Sequence, residues 1–254
     1  MSIELRHTAK IDTPKINQDN YFIIKDFLNN TDHFLIGLCD GHGSYGHLIS
    51  KYICDILPKK MTKLSDDIIS EVILSTNKSL IEESKIDCSL SGSTCTTLLI
   101  YPERIISANV GDTRAVIAQY ENGQYNARDL TRDHKPKELD EMKRIINSDG
   151  RIKQYTDPRS GKVIGPQKIW LKNSEIPGLS ISRSLGDNLA HTIGVISEPE
   201  INTYEFKGNE KFILLASEGI WKYIDSDESV KIIKEFYEKN LDAVGAINTL
   251  VKEA

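Results

Sequence analysis

The sequence lacks the features that mark membrane, secreted or nucleic-acid-binding proteins. No apolar run approaches the ~20 residues of a membrane-spanning helix, and the start Met1-Ser-Ile-Glu-Leu-Arg has no secretory hydrophobic region. A basic surplus is also missing, since 32 Lys and Arg against 37 Asp and Glu give a net charge of −5. That balance argues against general binding to nucleic acids or anionic membranes. We therefore expect an intracellular, cytoplasmic protein without membrane insertion.

Cysteine is scarce, and the four cysteines form no CxxC pair. The four are Cys39, Cys54, Cys88 and Cys95, and three of them stand among apolar residues. This pattern predicts buried free thiols in a reducing compartment. A thiolate nucleophile stays open as an alternative, but its usual sign, a cysteine in a phosphate-binding loop, is absent.

The length of 254 residues and a hydrophobic content of 39% predict an ordinary globular chain, and one domain over residues 1–254 is the simplest division. Apolar spacing predicts a helix over residues 48–57 that stops at Pro58, and a second helix from Ser65. An antiparallel meander of strands follows over residues 95–118, and helices return over residues 136–148 and 227–254. This order predicts an α+β fold of packed antiparallel sheets flanked by helices.

One stretch combines a buried strand with chemically active residues. The apolar run Phe34-Leu-Ile-Gly-Leu-Cys39 ends abruptly in Asp40-Gly-His-Gly43. Such a run predicts a strand that brings Asp40 to a sheet edge, where Gly41 lets a ligand approach its carbonyl oxygen. Carboxylate and carbonyl oxygens are the ligands of hard cations. The alternative is a tight turn in which Asp40 merely caps the next helix.

Three further acids stand at comparable places in the sequence. Each acid of the set lies at an end of an apolar strand or in a tight turn, and the set consists of Asp19, Asp40, Asp112 and Glu218. Acids at strand ends converge when the strands belong to one sandwich, and converging carboxylates repel one another unless cations neutralise them. Together with Gly41, the four acids favour a binuclear Mg²⁺ or Mn²⁺ site over four unrelated turn residues.

At this point the sequence resembles the metal-dependent serine/threonine protein phosphatases, the PPM or type 2C family, from about Lys15 to Ala254. The matching stretches, in family order, are Lys15-Ile-Asn-Gln-Asp19, Asp40-Gly-His-Gly43, Ser91-Gly-Ser-Thr94, Ala108-Asn-Val-Gly-Asp-Thr-Arg114, Leu130-Thr-Arg-Asp-His-Lys-Pro136, Gly178-Leu-Ser-Ile-Ser-Arg-Ser-Leu-Gly-Asp187, Gly194-Val-Ile-Ser-Glu-Pro-Glu200 and Leu215-Ala-Ser-Glu-Gly-Ile-Trp221. One such stretch is weak evidence, whereas eight in order are specific.

The resemblance implies a four-layer α-β-β-α sandwich with a metal centre at one end of its two sheets. It also implies a flap-like insertion over about residues 151–180, beside the active site. Two ions are expected, bridged by Asp40, with the carbonyl of Gly41 contacting one of them. Asp19 is expected to hold metal-bound waters, and Asp112 to bind a further, weaker ion.

The resemblance implies hydrolysis by a water that the two cations make more acidic, which attacks the phosphoryl group in line. His42 matches the general acid proposed for the family, which protonates the leaving seryl or threonyl oxygen. In the alternative reading, His42 only hydrogen-bonds a carbonyl in its own turn. The family's phosphate-binding arginine is absent, since Pro14 stands at about its place. Lys15 is the nearest cation and is expected to contact the phosphate in its stead, offering charge but not the bidentate fork of an arginine.

Three departures from the family pattern fall at the metals. The family's Ser-Asp-Gly motif is Ser217-Glu-Gly219 here. The extra methylene of glutamate moves the carboxylate by roughly an ångström or more. This shift matters because Mg²⁺ tolerates little error in its octahedral coordination. Lys222 stands where the family has an acid; its amine would either neutralise carboxylates or point into solvent. Family members also continue to an Asp-Asn pair and final strands, so a chain ending at Ala254 is expected to lack one ligand and those strands.

The sequence thus predicts a Mg²⁺- or Mn²⁺-dependent phosphatase acting on phosphoserine and phosphothreonine in proteins. Asp19, Asp40, Gly41, His42 and Asp112 favour this function. The alternative is a pseudophosphatase that keeps the sandwich as a binding or scaffold module, which Glu218 and Lys222 favour. A small-molecule phosphohydrolase on the same fold has no support in the sequence.

Overall fold

The computed structural model describes residues 16–61, 66–157 and 159–254. Within them the strands are β1 (Asp19–Ile24), β2 (Phe34–His42), β3 (Gly92–Ser93), β4 (Cys95–Ile100), β5 (Arg104–Val110), β6 (Arg114–Glu121), β7 (Gln124–Asp129), β8 (Gly150–Thr156), β9 (Val163–Leu171), β10 (Pro177–Leu179), β11 (Leu185–Gly186), β12 (Glu200–Glu205) and β13 (Glu210–Ala216). The helices are α1 (Gly46–Lys60), α2 (Asp66–Glu83), α3 (Leu139–Asn147), α4 (Asn188–His191), α5 (Glu218–Trp221), α6 (Ser226–Asn240) and α7 (Ala243–Glu253). None of the described helices is both long and apolar enough to cross a membrane.

The largest sheet contains seven strands in the order β11-β3-β2-β4-β5-β12, with β1 paired to β2. β2 therefore lies between β1 on one side and β4 and β3 on the other, all antiparallel to it. One face of this sheet is covered by α1 and α2, whose apolar stripes bury the side chains Ile49, Ile53, Ile69 and Ile73 together with Cys39, Leu99 and Ile106. This packing fixes the central position of β2, the strand that carries the candidate site residues.

A second sheet of three strands has the order β13-β6-β7. Because side chains alternate between the faces of a strand, β6 turns Ala115 and Ile117 toward the first sheet and Val116 and Ala118 toward the helices. α6 and α7 cover that outer face through Val230 and Leu250, among others. The layers are thus helices, sheet, sheet, helices, and the predicted α-β-β-α sandwich is confirmed.

The predicted meander over residues 95–118 is wrong at one connection. β5 pairs with β4 and β12 in the first sheet, whereas β6 pairs with β7 and β13 in the second. The turn that contains Gly111 and Asp112 therefore carries the chain from one sheet to the other. Local sequence favours a hairpin there, but burial of both apolar faces of the strands requires two stacked sheets. This crossover places Asp112 between the sheets.

The segment predicted as a flap contains a third sheet, with the order β10-β9-β8. Ile169 and Leu179 of this sheet pack with Ile145 of α3. The sheet thus has its own small core beside the main sandwich.

Helix α1 continues beyond its predicted stop. Pro58 lies inside the helix, which ends at Lys60, and Met61 donates its N–H to Leu57 O at 3.2 Å. A proline in the last turn removes one hydrogen bond of a helix that tertiary packing already holds, since Ile53 and Leu57 are fully buried.

The predicted burial of the cysteines is confirmed for Cys39, Cys88 and Cys95, while Cys54 is half-buried, and all four are free thiols.

Candidate active site

Two of the predicted metal ligands meet across adjacent strands. In the antiparallel pair of β1 and β2, Asp19 lies directly opposite Asp40. Like charges at directly opposed positions repel each other. Burial raises the pKa of Asp40 to about 8, with the charges of Asp19 and Asp112 adding to the effect. The pair is therefore a place where added positive charge would stabilise the fold.

Asp40 lies within β2 rather than at its end, so the predicted strand boundary is wrong. The strand continues to His42 because Gly41 and His42 pair with Ser93 and Gly92 of β3. Thr94 holds the backbone of Asp40 on the same side: its Oγ1 accepts from Asp40 N at 2.9 Å, and its N–H donates to Asp40 O at 3.0 Å.

The helix-capping alternative for Asp40 is also wrong. α1 begins at Gly46, and Tyr45 occupies its N-cap position. The Asp40 side chain therefore caps no helix, and Asp40 lines the cavity beside β1.

Gly41 occupies a position with no room for a side chain. A Cβ atom at this residue would lie 2.3 Å from Gly46 O and 2.8 Å from Gln18 O. The absence of a side chain allows the first turn of α1 and the residue before β1 to approach β2. Gly41 lines a cavity of about 410 Å³ together with Asp19, Asp40 and Glu218.

Asp112 is buried and has a cationic partner inside the protein. Lys135 donates a short hydrogen bond to its Oδ2. The two loops are also joined through the backbone, since His134 N donates to Gly111 O at 2.9 Å and Gly111 N donates to His134 Nδ1 at 3.1 Å. Burial raises the pKa of Asp112, and Lys135 offsets only part of this rise.

Glu218 lies at the point where three cavities meet. It lines the cavity of about 410 Å³, a second of about 870 Å³ that contains Asp112 and Lys135, and a third of about 290 Å³ that contains Asp40 and His42. The preceding Ser217 donates from Oγ to Asp19 Oδ2 at 3.0 Å, which ties the end of β13 to the start of β1.

Lys222 is exposed, and its Nζ lies 5.4 Å from the centroid of the Tyr223 ring. Among the described residues, Lys135 is a lysine that pairs with an acid of the site, whereas the sequence had left open whether the Lys222 amine neutralises carboxylates or points into solvent. Both Lys222 and Glu218 border the cavity that contains Asp19 and Asp40.

His42 is bound by a carboxylate, so the alternative in which it bonds only a turn carbonyl is wrong. Its Nε2 lies 2.6 Å from Oδ2 of Asp187, whose side chain is 2% exposed. Burial lowers the pKa of His42, but the charge and hydrogen bond of Asp187 outweigh burial, so the pKa lies above its usual value. The imidazole lines two cavities that also contain Asp40.

The donor chemistry of this site fits a hard cation at the Asp19–Asp40 pair, because carboxylate oxygens are the ligands that Mg²⁺ and Mn²⁺ prefer. The fit at Asp112 is weaker, because Lys135 already supplies its positive charge. Within residues 16–61, 66–157 and 159–254, no three His, Cys, Asp or Glu side chains are close enough to hold one ion together. Among the described residues the acids therefore line shared cavities without forming a three-residue ligand cluster.

Sequence reasoning missed three residues of the site. Lys135 and Asp187 lie in two of the stretches that carry the family resemblance, yet neither was given a role. Lys168 of β9 lines the cavity of about 290 Å³ with Asp40 and His42, and it brings a cation that sequence spacing did not indicate. The predicted phosphate contact Lys15 lies outside the described residues and stays a prediction.

Comparisons with known proteins identify the family of this chain. The sequence model described as Protein phosphatase 2C matches residues 13–254. The chain is 31% identical over 245 residues to the Arabidopsis thaliana protein named "Probable protein phosphatase 2C 35", covering 89% of this chain and 70% of that protein. It is also 31% identical over 249 residues to "Probable protein phosphatase 2C 72" of the same plant, covering 91% and 73%.

Solved structures show the same fold at lower identity. A serine-threonine phosphatase 2C from Toxoplasma gondii superposes with a TM-score of 0.80 at 17% identity, covering 94% of this chain and 85% of that one. A C. elegans sex determining protein has a TM-score of 0.74 at 18% identity, covering 94% and 59%. The family match and the relatives favour the phosphatase over the pseudophosphatase alternative. The chain belongs to the protein phosphatase 2C family, the PPM-type serine/threonine phosphatases.

Proposed function

We propose that this chain removes phosphate from phosphoserine and phosphothreonine of proteins with two Mg²⁺ or Mn²⁺ ions bound at its acidic cluster. PPM phosphatases as a family depend on these metals. The observation that carries the proposal is the direct opposition of Asp19 and Asp40 in a cavity that also contains His42. Two adjacent carboxylates bind divalent cations, and the adjacent imidazole can move a proton.

In this proposal Asp40 and Asp19 hold the ions, with the carbonyl of Gly41 and the carboxylate of Glu218 as further oxygen donors. Asp112 would hold a weaker ion in competition with Lys135. The ions, when bound, supply charge neutralisation and a more acidic water. His42 gives a proton to the serine or threonine oxygen as it departs.

The test is hydrolysis of a phosphothreonine peptide with and without millimolar Mn²⁺. Asp40→Ala removes a proposed ligand, and Asp55→Ala is the matched control, because Asp55 is an exposed acid of α1 paired with Lys51. We expect turnover that requires Mn²⁺, is abolished in Asp40→Ala and is retained in Asp55→Ala.

A second measurement separates loss of catalysis from loss of metal binding. Mn²⁺ should raise the Tm of the wild type and of Asp55→Ala but not that of Asp40→Ala, since a ligand that binds only the folded state stabilises it. A folded wild type without Mn²⁺-dependent turnover and without a Tm rise would contradict the proposal and would favour a binding module.

A further inference from the structure

We propose that Asp187 is a positioning residue, which holds the Nε2–H of His42 so that Nδ1 is the atom that gives a proton to the departing oxygen. This inference rests on the proposed function, in which His42 is the general acid. It adds a residue to which the sequence gave no role, 145 positions away from His42 in the chain.

The contact has the geometry of a strong, directed hydrogen bond. His42 Nε2 and Asp187 Oδ2 are 2.6 Å apart, in the range of a charge-assisted bond. The Asp187 side chain is 2% exposed, whereas that of His42 is 28% exposed. The Asp187 carboxylate is therefore the fixed partner, and the His42 imidazole is the accessible one. His42 borders the cavities that contain Asp40.

Asp187 is itself held from several directions. Ser184 Oγ donates to the same Oδ2 at 2.6 Å, and the Asp187 N–H donates to Ser91 O at 2.9 Å. The backbone of Asp187 has a φ of +46°, a left-handed conformation that costs free energy in any residue but glycine.

Across from this carboxylate the chain has a glycine. A Cβ at Gly92 would lie 2.2 Å from Asp187 Oδ2. The space for the carboxylate exists because Gly92 has no side chain. The strained backbone and this space together hold one orientation of Asp187.

A fixed carboxylate decides which nitrogen of an imidazole keeps its proton. With Nε2–H donated to Asp187, the protonated ring can release only the proton on Nδ1. As the bond between phosphorus and the leaving oxygen breaks, its electron pair stays on that oxygen, which takes the Nδ1 proton. His42 is then neutral with Nε2–H still bound to Asp187, and solvent returns a proton to Nδ1.

The kinetic test compares two substrates in saturating Mn²⁺. Asp187→Asn should lower kcat about 100-fold on a phosphothreonine peptide, because general acid catalysis contributes on the order of 10²–10⁴-fold. On p-nitrophenyl phosphate the loss should be slight, because nitrophenolate leaves without protonation. In a His42→Gln background, Asp187→Asn should cause no further loss on the peptide.

A merely structural role would give a different pattern. Equal losses on the two substrates, or additive losses in the double variant, would overturn the proposal. Ser184→Ala removes one of the bonds that hold Asp187 but keeps the carboxylate, so it should cause a smaller loss with the same substrate dependence. A larger loss of kcat in Ser184→Ala than in Asp187→Asn would also overturn the proposal.

A second readout needs neither metal nor turnover. Nitrogen-15 NMR of labelled histidine side chains in the metal-free protein reports which ring nitrogen carries the proton, and the His42 signals are those absent from His42→Gln. Wild-type neutral His42 should carry its proton on Nε2, and Asp187→Asn should lose this preference. The same tautomer distribution in both proteins would overturn the proposal, whereas an inactive wild type would overturn only the proposed function.

Discussion

Lys135 donates a hydrogen bond to Asp112 at the turn where the chain passes from one sheet of the sandwich to the other. Asp112 is almost completely buried, so the ammonium group of Lys135 supplies the positive charge that such a carboxylate requires. A lysine thus takes the place that the sequence assigned to a weaker metal ion. The Lys135 ammonium and a metal ion would compete for the Asp112 carboxylate, and this competition can be measured.

Replacing Lys135 by methionine should destabilise the metal-free protein and strengthen Mn²⁺ binding. Removing one partner of a buried ion pair leaves the other charge unpaired and costs about 3 kcal/mol. Urea unfolding and calorimetric Mn²⁺ titration measure the two effects. Lys137→Met is the matched control, because Lys137 is exposed in the same loop. Unchanged stability of Lys135→Met would contradict the importance of the pair.

The stability of the metal-free protein should fall as the pH rises from about 4 to about 8. Over this range folded Asp40 retains a proton that the unfolded chain has lost, because its pKa is raised from 3.8 to about 8. The folded state therefore binds more protons, and deprotonation favours unfolding. Asp40→Asn should flatten this slope in urea titrations done at several pH values. Asp55→Asn should leave it unchanged, and an equal slope in Asp40→Asn would refute the assignment.

Restoring the acids that the family pattern has at positions 218 and 222 should improve the metal site. Glu218→Asp shortens the carboxylate beside Asp112, and Lys222→Asp replaces an exposed cation that borders the same cavity. We expect the double variant to bind Mn²⁺ about tenfold more tightly, equivalent to about 1.4 kcal/mol. Calorimetric titration and peptide turnover measure the change. A lack of gain in both would contradict the prediction: either Glu218 already serves the site, or the defect lies at another residue.

Gly41→Ala should destabilise the protein by about 3 kcal/mol, the cost of inserting a methyl group where packing leaves no space. The new Cβ would lie 2.3 Å from a backbone oxygen of Gly46. Gly219→Ala is the matched control: it lines the same cavity, but its Cβ would meet Ser217 Oγ at 3.7 Å, an ordinary contact. Urea unfolding of the two variants provides the comparison, and similar stabilities would argue against the close approach of α1.

Much of the architecture was predictable from local pattern. The apolar runs of β2, β4 and β13 and the amphipathic stripes of α1 and α2 bury enough surface to fix their type and order. The predicted helix and strand boundaries were less accurate. At Pro58, for example, packing of α1 on the sheet outweighs the tendency of proline to end a helix. The crossover at Asp112 was missed because a tight turn joins strands equally well within one sheet or between two.

The sequence by itself determined the family, the strands that carry Asp19 and Asp40, and the acids that gather beside His42, because these properties depend on residue type and spacing along the chain. The tertiary structure alone decided which side chains neutralise and orient them. Lys135 reaches Asp112 where the chain crosses from one sheet to the other, and Asp187 reaches His42 because β11 and β2 both pair with β3. Pairing between residues 23 and 145 positions apart depends on distances in space that no local pattern records.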